Sequence, residues 1–354
     1  MPRTPGWWSR GLVFALVFLS GCSGLPALPT TPVQPLKLRI ADGVSPPAAL
    51  PQSILSLAKQ EGFFQRAGLD AEIISVNGTP AIITAMRAGD VDVGIINSSD
   101  VIKLDAQKTL ELRVIGSPNG RNFWMIISRD SINALDELRG KPYAISRVGS
   151  EDHALAMTVM AAKGVDRSEV NFVAVGIPNV RVQALLANQM SATTTTIGTW
   201  VTIRSQPGVK ILVPPDEFWN TAPLMSNTSA ATGSVVQNKA EELRRYSKAM
   251  VLTARYYAEH KDAWVADMGK LRPDIQAADL NELWDQFKST WAVNGQLNMD
   301  MLQKTSDYLY ATEDFQEIPH IAVADWIDTR FMDATLGEVG VYPGIDDPGR
   351  TVKP

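Results

Sequence analysis

The residues in this 354-residue chain whose types and spacing could do chemistry sit mostly where a strand gives way to a helix. Hydroxyl, glycine, amide and basic residues gather at Gly43–Ser45, Asn77–Thr79 and Asn97–Ser99, and again at Arg147–Ser150, Pro178–Val180 and Gly198–Trp200. The start of a helix offers unpaired N–H groups and the positive end of its dipole, which favour an anion or a strong hydrogen-bond acceptor. In an open α/β sheet such starts lie beyond the carboxyl ends of the strands, where ligands bind. The six places nominate Ser45, Thr79, Ser98 and Ser99, then Arg147, Gly149, Ser150, Asn179, Thr199 and Trp200, as ligand-contacting residues. Plainer readings stand beside these. Thr79, Ser98, Ser99 and Ser150 are good N-caps, and a cap needs no ligand. Arg147 suits a solvated surface, and Trp200 suits a core as well as a cleft floor.

Catalytic patterns are weak. His153, His260 and His320 lie far apart and in no metal-ligand spacing. No Gly-x-Ser-x-Gly, His-Glu-x-x-His or phosphate-binding loop is present. Asp90 with Asp92, and Glu241 with Glu242, read as turn and helix-surface charges. No cofactor, no metal and no enzymatic activity are expected.

Cys22 is the only cysteine. It follows Arg3, Arg10 and the apolar run Gly11–Leu19, which is too short for an ordinary membrane span of roughly 20 residues and has the proportions of a secretory h-region. Leu19-Ser20-Gly21-Cys22 resembles the bacterial lipobox. That resemblance implies a signal peptide over 1–22, lipidation of Cys22 as the new N-terminus, and an envelope location facing the periplasm or the cell exterior. Residues 23–35 carry Pro26, Pro29, Pro32 and Pro35, the composition of an extended tether. Loss of residues 1–22, with their two arginines, takes the formal charge from −5 to −7, which argues against a nucleic-acid partner. No other segment approaches membrane-spanning length, and the remainder is expected to be soluble.

Candidate strands at 36–40, 71–76, 91–96 and 112–115 alternate with helices after Pro51 and Thr79, the latter read as an N-cap with Pro80 first in its helix. The rhythm restarts with strands at 124–128, 142–146, 171–175, 192–197 and 209–213 and helices at 132–138, 151–163 and 180–188. Repeated βα units predict open, mostly parallel sheets flanked by helices. Helices are expected at 241–259, 262–269, 278–290, 298–310 and 320–329, with an irregular tail over 341–354. Trp264, Trp284, Trp291 and Trp326 fall on these stretches as packing residues.

Four ordered segments resemble one class of ABC-transporter solute-binding proteins, those for sulfonates, nitrate, taurine and thiamine-precursor-like molecules. They are Glu61-Gly62-Phe63-Phe64-Gln65-Arg66-Ala67-Gly68-Leu69-Asp70-Ala71-Glu72, then Ala88-Gly89-Asp90-Val91-Asp92-Val93-Gly94. The others are Leu138-Arg139-Gly140-Lys141-Pro142-Tyr143-Ala144-Ile145-Ser146 with Gly149-Ser150, and Ala184-Leu185-Leu186-Ala187-Asn188-Gln189-Met190. Together they cover roughly residues 36–340. The chain departs from the family pattern Gly-x-Val-Asp-Ala with Asn188-Gln189-Met190-Ser191-Ala192, expected as a tolerated surface turn, and its 192–199 stretch is rich in threonine.

The resemblance implies the type 2 periplasmic-binding-protein fold: two α/β lobes with a hinge and a helical C-terminal part. The first lobe is expected at 36–122 with 226–340 and the second at 123–225, with crossovers near 118–124 and 214–226. It further implies a monomer that closes on a small-molecule ligand and hands it to ABC permease and ATPase subunits. Arg147 and the many hydroxyls favour an anionic ligand, and Trp124 and Trp200 allow it an apolar part. A ligand sensor feeding a receptor, and a metal-free enzyme on the same fold, are the alternatives.

Overall fold

The computed structural model describes residues 35–43, 46–76, 78–118, 124–222, 224–288 and 290–343. The expected signal peptide, Cys22, the proline-rich tether and the end of the tail lie outside them. The first five-stranded sheet takes β1 (Leu36–Asp42), β2 (Leu69–Ser75), β3 (Val93–Asn97), β4 (Leu112–Gly116) and β10 (Asn227–Thr232). The second takes β5 (Trp124–Arg129), β6 (Pro142–Ile145), β7 (Asn171–Ala174), β8 (Ala192–Thr196) and β9 (Val209–Val213). Their orders are β2-β1-β3-β10-β4 and β7-β6-β8-β5-β9.

These two orders are the same pattern. In each sheet four strands run parallel, and the fourth position in the order holds an antiparallel strand from a segment that passes between the sheets. β5 leads into the second sheet and lies antiparallel to β8 and β9. β10 returns to the first and lies antiparallel to β3 and β4. The expected alternation of strands and helices is present, and the mostly parallel sheets each contain this one reversed strand.

The helices that matter below are α1 (Ile54–Gln60), α2 (Thr79–Ala88), α3 (Ser98–Ala106), α4 (Glu151–Ala162), α5 (Pro178–Leu186), α6 (Ile197–Trp200), α7 (Ala240–Glu259) and α8 (Met299–Tyr310). On α7, Leu243, Tyr246, Met250, Ala254 and Tyr257 recur at steps of three and four and are all buried. Burying each large member of such a stripe contributes about 1.5–3 kcal/mol. The described residues form one compact unit. Both core clusters draw on both sheets: Leu38 and Ile40 share one with Met125 and Ile127, and Val114 shares the other with Ile126. Trp264, Trp291 and Trp326 are buried as packing residues, and the Trp284 indole donates to the Tyr257 carbonyl at 2.9 Å. Among the described residues no helix is long and apolar enough to cross a membrane.

Four expectations change. β10 was not anticipated, because Asn227-Thr-Ser-Ala-Ala-Thr232 lacks the large β-branched apolar residues that mark a strand; its buried small residues fit between two neighbours. The helix expected over 132–138 is a single 3₁₀ turn, Leu135–Leu138, which buries both leucines at a spacing of three. The helix expected over 320–329 is only Val323–Trp326, because Ile327 bridges to Val114 and the Asp328 N–H donates to the Val114 carbonyl at 2.9 Å. A ten-residue helix, Arg330–Val339, follows it. Finally, the cap of α2 is Gly78, at φ 81°, so Thr79 and Pro80 are the first and second helical residues. The departure at Asn188 is a simple turn: Asn188 adopts φ 62°, the left-handed conformation that glycine takes and asparagine tolerates.

Candidate ligand-binding cleft

Two strand exits, one from each sheet, meet. β3 passes through Asn97 into α3, whose first turn holds Ser98, Ser99 and Asp100. β6 passes through residues 146–150 into α4, capped by Ser150 and opening with Glu151, Asp152 and His153. A pocket between them is lined by Ser99 and Lys103, by Gly149, Ser150 and Glu151, and by Tyr308 and Asp314 near the C-terminal end of the chain. It leaves space for about one water molecule.

The turn over 146–150 is held from inside. The Asp152 carboxylate accepts the Ser146 N–H at 2.9 Å and the Ser150 hydroxyl at 2.7 Å. The same hydroxyl contacts the Arg147 carbonyl at 2.6 Å. Gly149, at φ 72°, donates its N–H to His153 Nδ1 at 3.2 Å. That bond makes Nδ1 the acceptor of a neutral ring, and burial holds the His153 pKa below the usual histidine range against the pull of Asp314 and Asp152. The N–H groups of Ser146 and Gly149 in this turn are therefore already engaged by side chains of α4.

Behind Asp152 lies Arg181 on α5, only 1% exposed and 3.4 Å from the Asp152 carboxylate. Its guanidinium donates to the Thr193 hydroxyl at 3.1 Å, the Gly176 carbonyl at 2.7 Å and the Thr194 carbonyl at 3.0 Å. The Thr193 hydroxyl donates to the Ala144 carbonyl at 2.8 Å, and Thr194 pairs with the Tyr143 hydroxyl at 2.6 Å. The threonine-rich stretch thus serves a buried arginine, which in turn steadies the turn at the cleft. Burial lowers the Arg181 pKa, and Asp152 opposes that shift.

Glu151 differs from its neighbour. It is 8% exposed, bonds to the Ser226 hydroxyl and the Trp124 indole, and has one oxygen, Oε2, with no partner among the described residues. Burial pushes its pKa up to about 7; the Ser226 bond opposes this, and the nearby charges of Asp100 and Asp152 add to it. Burial also raises Asp100, against the pull of Arg147 and then Lys103. Lys103 rests over the Phe315 ring at 4.8 Å.

Of the nominated residues, Ser99, Gly149 and Ser150 line this pocket. Ser98 is buried and structural: its hydroxyl donates to the Met225 carbonyl at 2.7 Å and its N–H to that of Ser226 at 2.9 Å, which fastens α3 to the segment returning from the second sheet. Arg147 is exposed and makes no ion pair among the described residues. Thr79 is half-buried and Asn179 exposed, each in the first turn of its helix and away from the pocket lining. Thr199 and Trp200 end α6, where Trp200 packs on the core and Gly198 lies close to Ala49 and Leu50 of the other half. Ser45 lies outside the described residues. The pocket residues that sequence reasoning missed are Glu151, Tyr308, Lys103 and Asp314, with Asp100 and Ser226 beside them; the acids at 100 and 151 were visible only as ordinary first-turn charges.

Among the described residues, no group of three histidine, cysteine or acidic side chains could hold a metal. No curated protein sequence matches the chain. Solved structures do. The periplasmic nitrate-binding protein NrtA of Synechocystis PCC 6803 matches with a TM-score of 0.68 and 13% identity, over 88% of this chain and 91% of that one. The periplasmic aliphatic sulphonate binding protein SsuA of Escherichia coli matches with a TM-score of 0.64 and 13% identity, over 84% and 92%. The desulfurization enzyme DSZB matches with a TM-score of 0.62 and 14% identity, over 86% and 99%. At such identities the likeness shows the fold, which is that of the periplasmic binding proteins. Residues 52–263 match the family described as NMT1/THI5 like, more than half of the sequence, and the chain belongs to that family.

Proposed function

We propose that this protein is the extracytoplasmic solute-binding component of an ABC importer, capturing a small solute between its two sheets and presenting it to permease and ATPase subunits. The observation that carries this reading is the meeting of α3 and α4 at one pocket, each helix starting at a strand exit of a different sheet. A solute seated there touches both halves at once and favours their closed arrangement by its differential affinity. The family and the binding proteins that share the fold support the same role.

In this reading 36–122 with 226–340 form one lobe and 123–225 the other, turning about the crossovers near 118–124 and 214–226. Closure is held by the Thr158–Tyr308 hydroxyl pair at 2.6 Å, by Arg167 with Glu313, and by Arg204 with Asp279 and Glu282. The proposed lipid on Cys22 and the tether over 23–35 keep the body at the envelope membrane. The exposed Arg147, which makes no ion pair among the described residues, supports an acidic group at one end of the solute, as in a sulfonate.

A thermal-shift and calorimetric screen of sulfonates, nitrate, carboxylates and amines tests the role, with bound solute recovered from denatured protein. Recovery of unchanged solute is the expected result. A solute converted to product would make the protein an enzyme, and a sensor kinase in place of a permease as its binding partner would make it a receptor's sensor.

A further inference from the structure

Glu151 is the group in the cleft that its own protein leaves unfinished. Its side chain is more than nine-tenths buried, it lines the pocket, and its Oε2 atom has no hydrogen-bond partner among the described residues. Buried polar atoms are almost always paired, and a buried carboxylate oxygen left alone is costly in every state in which nothing occupies the space beside it. The adjacent acid on the same helix shows the contrast. Asp152 takes two hydrogen bonds and an arginine, all from its own half of the molecule.

The charges around Glu151 sharpen the point. Those that act on it most, Asp100 from the other half and Asp152 beside it, are both negative. Asp314 lines the same pocket. No cation is among the charges that act most on Glu151: Lys103, over the Phe315 ring, and Arg147, exposed on the turn, act on Asp100 instead. An anion drawn to Arg147 gains nothing from Glu151 and is repelled by it, because like charges in a desolvated cleft interact strongly. A group with N–H donors meets an acceptor already fixed in place by Ser226 and Trp124.

Resting on the solute-capture reading, we infer that the captured solute carries a protonated amine or amidinium nitrogen that donates to Glu151 Oε2, with Asp100 as the second carboxylate from the opposite half. The bond ties the two halves together through the solute's charge, so capture and closure are one event. The raised proton affinity of Glu151 fits this arrangement: a cation beside it favours the carboxylate, so binding below pH 7 should expel a proton.

The test is calorimetry on the exported chain with putrescine, agmatine and histamine as amine probes and ethanesulfonate, nitrate and acetate as anion probes. At least one amine is expected to bind, and Glu151→Gln, which keeps the shape and removes the charge, should weaken it 30-fold or more. Asp100→Asn, a second and less buried change, should weaken it about fivefold. At pH 6.5 the heat of amine binding should vary with the ionisation enthalpy of the buffer, reporting proton release. Anion binding that depends on Arg147 while every amine fails overturns the inference and leaves the capture reading intact. Amine binding indifferent to Glu151→Gln also overturns it. If neither class binds and solution scattering is unmoved by all six probes, the capture reading falls as well.

Discussion

Arg181 and Asp152 stand 3.4 Å apart with both side chains buried, and the turn over 146–150 is built on that pair. Arg181→Met removes one partner and leaves Asp152 as an uncompensated buried charge, which costs about 3–5 kcal/mol. Urea unfolding should show that loss. Solute affinity should fall with it even where the variant is fully folded, because the turn loses the anchor of its carboxylate. A variant within about 0.5 kcal/mol of the natural chain would show that the pair does not support the turn.

The pH dependence of stability has a sign set by Glu151. Its folded pKa is about 7, raised from 4.5, so between those values the folded protein holds more protons than the unfolded one. The contribution of this group therefore falls as pH rises from about 4.5 to 7 and is flat above that, a loss of roughly 3 kcal/mol in all. His153, whose pKa is lowered, acts oppositely in part of this window by losing stability as pH falls. Comparing the natural chain with Glu151→Gln isolates the carboxylate. The variant's relative stability should increase steadily from pH 5 to pH 7, read from urea midpoints, and a constant difference would contradict the assignment.

Closure should be visible in solution. Solute should make the scattering profile more compact, and raise the melting temperature with the logarithm of its free concentration above the dissociation constant. Trp124, beside Ser226 and Glu151, should report the event by fluorescence. Arg204→Ala loosens a partly exposed contact between the halves and should weaken solute binding by no more than about threefold, in line with the modest worth of such pairs. A solute that stabilises the protein while leaving the scattering unchanged would argue against moving lobes.

The proposed anchor makes its own prediction. Cys22→Ser should abolish lipid attachment, globomycin-sensitive processing and fractionation with membranes, leaving an unprocessed precursor. Mature-sized protein that still fractionates with membranes would rule the lipobox out.

Much of the fold was legible because burial imposes a period. Leu36–Ile40, Trp124–Ser128 and Val209–Val213 read as strands, and Leu243 to Tyr257 read as one buried helix face, since each spacing matches the geometry that hides it. Asn227–Thr232 escaped because a strand between two neighbours needs only small side chains there, and small polar residues also make loops. The candidate pocket was legible by place and illegible by residue. Strand exits located Ser99, Gly149 and Ser150 at the pocket, as topology dictates. Glu151 and Asp100 looked ordinary, because any helix start favours an acid in its first turn, exposed or not. Arg181 carries no signal in the sequence either: nothing within α5 tells that the threonines of β8 will receive it.

The two sheets share a strand order but not an assembly problem. Every strand of the second comes from the unbroken stretch 124–213, whereas the first is incomplete until β10, at 227–232, is inserted between β3 and β4. A chain made N-terminus first therefore has all strands of the second sheet in hand before the first can close. Local pairings form faster than distant ones. The second half should thus acquire amide protection early in pulse-labelled refolding, while β1 and β3 wait, with one edge of β3 unpaired, for a strand made more than a hundred residues later. In that interval the first half is the part of the molecule most in need of a chaperone.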